Sequence, residues 1–170
     1  VYEQVRREGI RCLIAFGTDT DYFNPDVNTK KDIEYFYPAT FSPWKRQSEL
    51  AYLGKDLWLV GTVQPDGQFE LDECEKAGCH IEKGYFPVDK IREYYRRAKQ
   101  ILIPAVHGSE RTVLEAMSMN IPVQVTHYEI NKRADSYIRE QRQSGLTPRE
   151  FVVKNYSHKT MADALLRGIE

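Results

Sequence analysis

Short apolar runs alternate with amphipathic stretches along this chain, and the alternation predicts the fold class. Cys12–Ala15, Glu34–Pro38, Leu57–Gly61, His80–Lys83, Gln100–Ile103 and Val123–Val125 read as strands. Segments with helical spacing lie between them. Lys45–Leu53 carries Leu50 and Leu53, and Asp89–Lys99 carries Ile91, Tyr94, Tyr95 and Ala98. Arg111–Met119 follows the fifth strand, and Ile130–Arg142 sets Ile130, Ala134, Tyr137 and Ile138 on one face. Thr147-Pro-Arg-Glu150 has the residues of a helix start, with a capping hydroxyl, Pro in the first turn and Glu at the third position. Ser157 caps a last helix running from His158 to Gly168. Strand–helix alternation of this kind predicts an α/β domain, a Rossmann-like parallel sheet with helices on both faces. Pro38 and Pro104 fall at strand ends, where a missing N–H does little harm. The longest loop is Asp19–Asp32, and its Asp19-Thr-Asp21 reads as a turn.

Ligands of open parallel sheets sit beyond the carboxyl ends of the strands. Thr40–Lys45, Gly61–Gln68 and Ala105–Thr112 project there. The last of these opens a helix, and the first N–H groups of a helix lack intrahelical partners and attract anions. Glu115 follows in that helix, and two readings of it stand. Its carboxylate either accepts hydrogen bonds from ligand hydroxyls, or closes a capping box Thr112-Val-Leu-Glu115 that serves only the helix start. Lys45 likewise is either a point charge for phosphate or a surface lysine.

Composition narrows the function classes. The 170 residues make one domain, with 41% hydrophobic and 12% aromatic residues to fill a core. A formal net charge of −1 gives no overall field for nucleic acid or anionic membrane. No apolar run approaches the roughly 20 residues of a membrane span. The three cysteines, Cys12, Cys74 and Cys79, cannot all pair within one chain, which suits a reduced, cytoplasmic setting. Cys74, Cys79 and His80 match no common zinc spacing, so no metal site is expected.

Three patches recur in an order that resembles the C-terminal donor-binding domain of GT-B glycosyltransferases, most closely the large retaining family 4. Leu13-Ile-Ala-Phe-Gly-Thr-Asp-Thr-Asp-Tyr-Phe-Asn-Pro25 resembles the pattern I-P-N-G-V-D-x-x-x-F-x-P. Pro38-Ala-Thr-Phe-Ser-Pro-Trp-Lys45 stands where the family has G-R-x-x-x-x-K-G. Gly84 through Val123, with Leu114-Glu-Ala-Met117 and Pro122-Val123, resembles the family's long third pattern, which ends in L-E-A-M-A-x-G-x-P-V. The departures are specific. Thr40 replaces the arginine, while Lys45 keeps the spacing of the second cation. Counting back eight positions from Glu115 reaches His107, where the family carries an acid.

The resemblance implies transfer of a sugar from a UDP- or GDP-linked donor to an acceptor hydroxyl with retention, without a further cofactor. It implies that His107 and Glu115 are the catalytic-site residues. Thr40, Lys45, Gly108, Ser109, Arg111, Thr112 and Glu115 would hold the donor, the amides of Arg111 and Thr112 meeting the distal phosphate. The nucleobase would lie near Thr62 and Glu82–Gly84, with Tyr85 and Phe86 as stacking candidates. His127 and His158 would be surface or structural. Residues 1–11 would be a linker or preceding helix, and the partner acceptor-binding domain, with any peripheral membrane contact, would lie outside these residues. A nucleotide-sugar epimerase and a non-catalytic nucleotide-binding module are the alternatives.

Overall fold

Residues 17–167 are described in a computed structural model of the chain. The strand expected at Cys12–Ala15 and the segment 1–11 lie outside the described residues. Five parallel strands, β1 (Ile33–Pro38), β2 (Leu57–Gly61), β3 (His80–Lys83), β4 (Ala98–Ile103) and β5 (Val123–Val125), pair in the order β3-β2-β1-β4-β5. Tyr37 stands opposite Leu59, Leu59 opposite Ile81, Phe36 opposite Ile101 and Ile101 opposite Val123. The central strands are apolar on both faces, with Ile33, Phe36, Tyr37, Leu57, Leu59, Ile101 and Ile103 all buried. Helices cover such sheets on both sides, which is why the central strands read as apolar runs and not as an alternation.

The chain moves from β1 outward to β3 and then returns to the other side of β1 for β4. The connections after β1 and β4 therefore diverge, and a crevice opens between them at the carboxyl ends. Six helices surround the sheet: α1 (Gln68–Lys76), α2 (Val88–Arg97), α3 (Glu110–Ser118), α4 (Lys132–Ser144), α5 (Pro148–Tyr156) and α6 (His158–Arg167). Tyr95 of α2 packs edge-on against Phe36 of β1 and Phe23 of the long loop, with ring centroids 5.4 and 6.1 Å apart. That loop, Asp19–Asp32, contains no helix or strand, and Asp19 turns it by accepting from the amides of Asp21 and Tyr22 at 3.1 and 2.9 Å. Arg149 of α5 holds it down, donating to the carbonyls of Thr20 and Ser118 at 3.2 and 2.7 Å.

Three elements depart from the sequence reading. The helix expected over Lys45–Leu53 is a 3-10 stretch over Gln47–Asp56, interrupted at Gly54. A turn closes first, with the amides of Lys45 and Arg46 donating to the Ser42 carbonyl at 2.9 and 3.3 Å, and left-handed Arg46 ends it. Lys45 therefore sits in a loop. The helix expected from Ile130 starts at Lys132, because Asn131 caps it by accepting from the Ala134 amide at 3.3 Å. Ile130 belongs to the preceding turn and is 62% exposed, so it is not part of the apolar face. Helix α1 has no counterpart among the expected helices. Its inward side is Glu70, Leu71 and Cys74 while Phe69 faces water, which erases the usual apolar spacing. The capping box at Thr147 forms as expected, with Thr147 accepting from the Glu150 amide and Glu150 from the Thr147 amide. Ser157 accepts from the Thr160 amide at 3.2 Å, as its capping role requires. Among the described residues no helix is long and apolar enough to cross a membrane.

Candidate functional site

The loop after β1 is fixed by its neighbours. A Cβ on Gly61 would lie 2.2 Å from the Ala39 carbonyl oxygen, so only glycine allows the loops after β1 and β2 to pack this closely. The Phe41 amide donates to the Thr62 carbonyl at 2.7 Å, and the Thr40 and Thr62 hydroxyls are 3.0 Å apart. Fully buried Gln47 donates to the Thr40 carbonyl at 2.9 Å. The loop after β4 is tied down as firmly. The Val106 amide donates to the Trp44 carbonyl at 3.1 Å, and Asn131 donates to the carbonyls of Ala105 and Gly108, both at 3.0 Å.

Two consecutive left-handed residues, Gly108 (φ 75°) and Ser109 (φ 70°), then swing the chain into α3. Ser109 stands at the N-cap but makes no side-chain cap bond. Its hydroxyl instead accepts from Lys45 Nζ at 2.9 Å and lies 3.2 Å from the buried Tyr37 hydroxyl. The first-turn amides of α3 are thus left for something else. Half-buried Lys45 has its pKa lowered by desolvation, against the pull of nearby Glu110.

A cleft of about 270 Å³ opens at the carboxyl ends of β1, β2 and β3 and along α3. Its polar lining is Thr40, Thr62, Tyr85, Arg111, Thr112 and Glu115. Glu115 accepts from the Tyr95 hydroxyl at 3.1 Å. Burial pushes its pKa up to about 7, against the opposing effects of the Tyr95 hydrogen bond and the Arg111 charge. The capping-box reading of Thr112 and Glu115 is overturned. Helix α3 begins at Glu110, so Thr112 is buried in its first turn and Glu115 belongs to the second.

Of the residues singled out by sequence, Thr40, Arg111, Thr112 and Glu115 meet in the cleft. Lys45, Gly108 and Ser109 form a second group joined by the Lys45–Ser109 hydrogen bond. A Cβ on Gly108 would lie 3.0 Å from Lys45 Nζ. His107 is exposed and does not line the cleft; its ring packs on that of Trp44, with centroids 5.2 Å apart. Tyr85 is 91% exposed at the cleft rim, whereas Phe86 packs on the core with Lys90 over its ring. Glu82 turns away to bind Lys90, at 2.7 Å, and Tyr94. His127 contacts Glu49 and Arg46, and His80 stacks on Trp58. Among the described residues no three His, Cys, Asp or Glu side chains converge on one point.

Sequence reasoning missed Tyr37, Tyr95, Gln47, Asn131 and Trp44 as parts of the site. Tyr95 carried only a core-packing signal. Asn131 acts across 23 residues on Gly108, a distance at which a single sequence carries no sign.

No known family profile and no curated protein matches this chain. Solved structures do resemble it. AviGT4, a glycosyltransferase involved in avilamycin A biosynthesis, overlays with a TM-score of 0.66 at 18% identity, over 91% of this chain and 56% of that one. S. aureus TarM, in complex with fondaparinux, alpha-GlcNAc-glycerol and UDP, gives a TM-score of 0.62 at 13% identity, over 99% of this chain and 42% of that one. The C-terminal domain of a glycosyl transferase group 1 family protein (LpcC) from Francisella tularensis gives 0.59 at 17% identity, over 84% of this chain and all of that domain. The chain spans about half the length of the first two. It carries an α/β, Rossmann-like fold that matches the C-terminal domains of GT-B glycosyltransferases.

Proposed function

We propose that this chain is the donor-binding part of a glycosyltransferase and holds a nucleoside diphosphate sugar at the switch point between β1 and β4. The supporting observation is the convergence of Thr40, Thr62, Arg111 and Glu115, from three connections and one helix, on one cleft at that point. Glu115 accepts from the ribose hydroxyls. The uncapped amides of α3 receive the distal phosphate, and Lys45 and Arg111 supply positive charge beside it.

The reaction implied is transfer of the sugar to an acceptor hydroxyl with retention. Charge then develops on the departing diphosphate, and preorganised amides and cations stabilise it without reorganising. The acceptor site belongs to chain beyond these residues, since AviGT4 and TarM are nearly twice as long or longer. A second reading, a nucleotide-binding module without transfer, is favoured by Thr40, whose hydroxyl is engaged by Thr62, and by His107 lying outside the cleft.

Calorimetric titration with UDP, GDP and ADP tests the binding half. Binding of one of them in the micromolar to millimolar range is expected, with no sugar transfer by these 170 residues alone. Failure of all three to bind contradicts the proposal, and transfer by the chain alone contradicts the need for a further acceptor domain.

A further inference from the structure

Trp44 is 55% exposed, yet it is not a loose side chain. Its carbonyl accepts from the Val106 amide at 3.1 Å, so its backbone is joined to the loop that carries His107. Its ring lies over the imidazole of His107 with a tilt of 35° and centroids 5.2 Å apart. Two loops on opposite sides of the switch point thus each contribute one ring to a shared plate. The next residue in sequence, Lys45, donates to Ser109, two residues beyond His107. The plate therefore flanks the group that receives the diphosphate in the reading above. A sugar esterified to the distal phosphate has to leave that group on its solvent side, where the plate lies.

We propose that Trp44 and His107 form a stacking platform for the pyranose ring of the donor, with Trp44 the residue that contributes most of its affinity. The inference rests on the donor-binding reading and adds to it the seat of the sugar. The physical basis is the electron-rich face of indole, which attracts the polarised C–H bonds on the apolar side of a pyranose. Imidazole nitrogens at the rim offer a donor and an acceptor to ring hydroxyls. A plate of this kind holds the sugar without an anionic side chain, as the chain requires with His107 in place of an acid.

The test compares the parent, Trp44→Ala and Trp44→Phe, titrated with UDP, GDP and ADP and then with UDP-glucose, UDP-N-acetylglucosamine, GDP-mannose and ADP-glucose. Affinity is read by calorimetry and the indole environment by fluorescence. One nucleotide sugar is expected to bind about 3- to 10-fold more tightly than its own nucleotide, with a change in indole emission. Trp44→Ala should abolish that gain and the emission change while leaving affinity for the bare nucleotide unaltered, and Trp44→Phe should keep part of the gain. If a nucleotide binds but no sugar in the panel adds affinity, the platform is wrong and donor binding stands. If Trp44→Ala weakens nucleotide and nucleotide sugar equally, Trp44 only braces the loop, and the platform is again wrong. If no nucleotide binds to the parent, the donor-binding reading fails and the platform fails with it.

Discussion

The buried hydroxyl of Tyr95 donates to the carboxylate of Glu115 across 3.1 Å, joining α2 to the wall of the cleft. This bond fixes the orientation of the carboxylate and leaves its second oxygen for a ligand. Burial nonetheless raises the pKa of Glu115 to about 7, so its charge is present only from neutral pH upward.

The pH dependence follows. Glu115 has a folded pKa above its unfolded value of 4.5. Its favourable contribution is complete below that unfolded value and is lost as pH rises through about 7. Glu115→Gln should therefore melt about 2–4 °C above the parent at pH 8, with the difference vanishing near pH 4. Ribonucleotide affinity should rise with pH across neutrality in the parent and be lower and flat in Glu115→Gln. An analogue lacking ribose hydroxyls should show neither effect. Thermal melts and titrations at several pH values check these outcomes.

Lys45→Ala removes the ammonium beside Ser109. A charge-assisted contact to phosphate contributes about 1.5–3 kcal/mol, so affinity for the diphosphate should fall at least tenfold. Lys45 forms no ion pair among the described residues, and the melting temperature should move little. Equal affinity in parent and variant would make Lys45 a structural partner of Ser109 and nothing more.

Gly108→Ala tests the turn that feeds α3. An L-residue at φ 75° costs about 1–2 kcal/mol, and the new methyl would meet Lys45 Nζ at 3.0 Å. Stability should drop by that amount, and diphosphate affinity should fall as well because Lys45 is displaced. A variant as stable as the parent, with unchanged affinity, would contradict the geometry of this loop.

Much of this arrangement was legible in the sequence, and the reasons for the remainder are local. Leu57–Gly61, His80–Lys83 and Val123–Val125 appear as strands with the expected ends, because apolar runs bounded by turn residues have few other solutions in an α/β chain. Helix α1 was hidden because Glu70 faces inward, where its carboxylate accepts from the Ser48 amide at 2.7 Å. The Thr112–Glu115 spacing imitates a capping box, but the helix begins two residues earlier because Gly108 and Ser109 turn left-handed. Thr40, Arg111, Thr112 and Glu115 were found from the strand ends and the family resemblance. Their supports, Tyr95 and Asn131, were not, because each acts through a tertiary contact.

Thr147→Ala serves as the contrasting case. It removes a complete capping box at the start of α5, away from the cleft. Stability should fall by about 0.5–2 kcal/mol, with no change in nucleotide affinity. Denaturant melts beside nucleotide titrations separate the two quantities.

The most direct measurement is the response of the first-turn amides of α3 to a nucleoside diphosphate. With nitrogen-15-labelled protein and millimolar UDP, GDP or ADP, the resonances of Glu110, Arg111 and Thr112 should shift together with those of Gly108 and Ser109, while the amides of α5 stay in place. If none of the three nucleotides moves these α3 amides, the cleft is not a diphosphate site and the donor-binding proposal is contradicted.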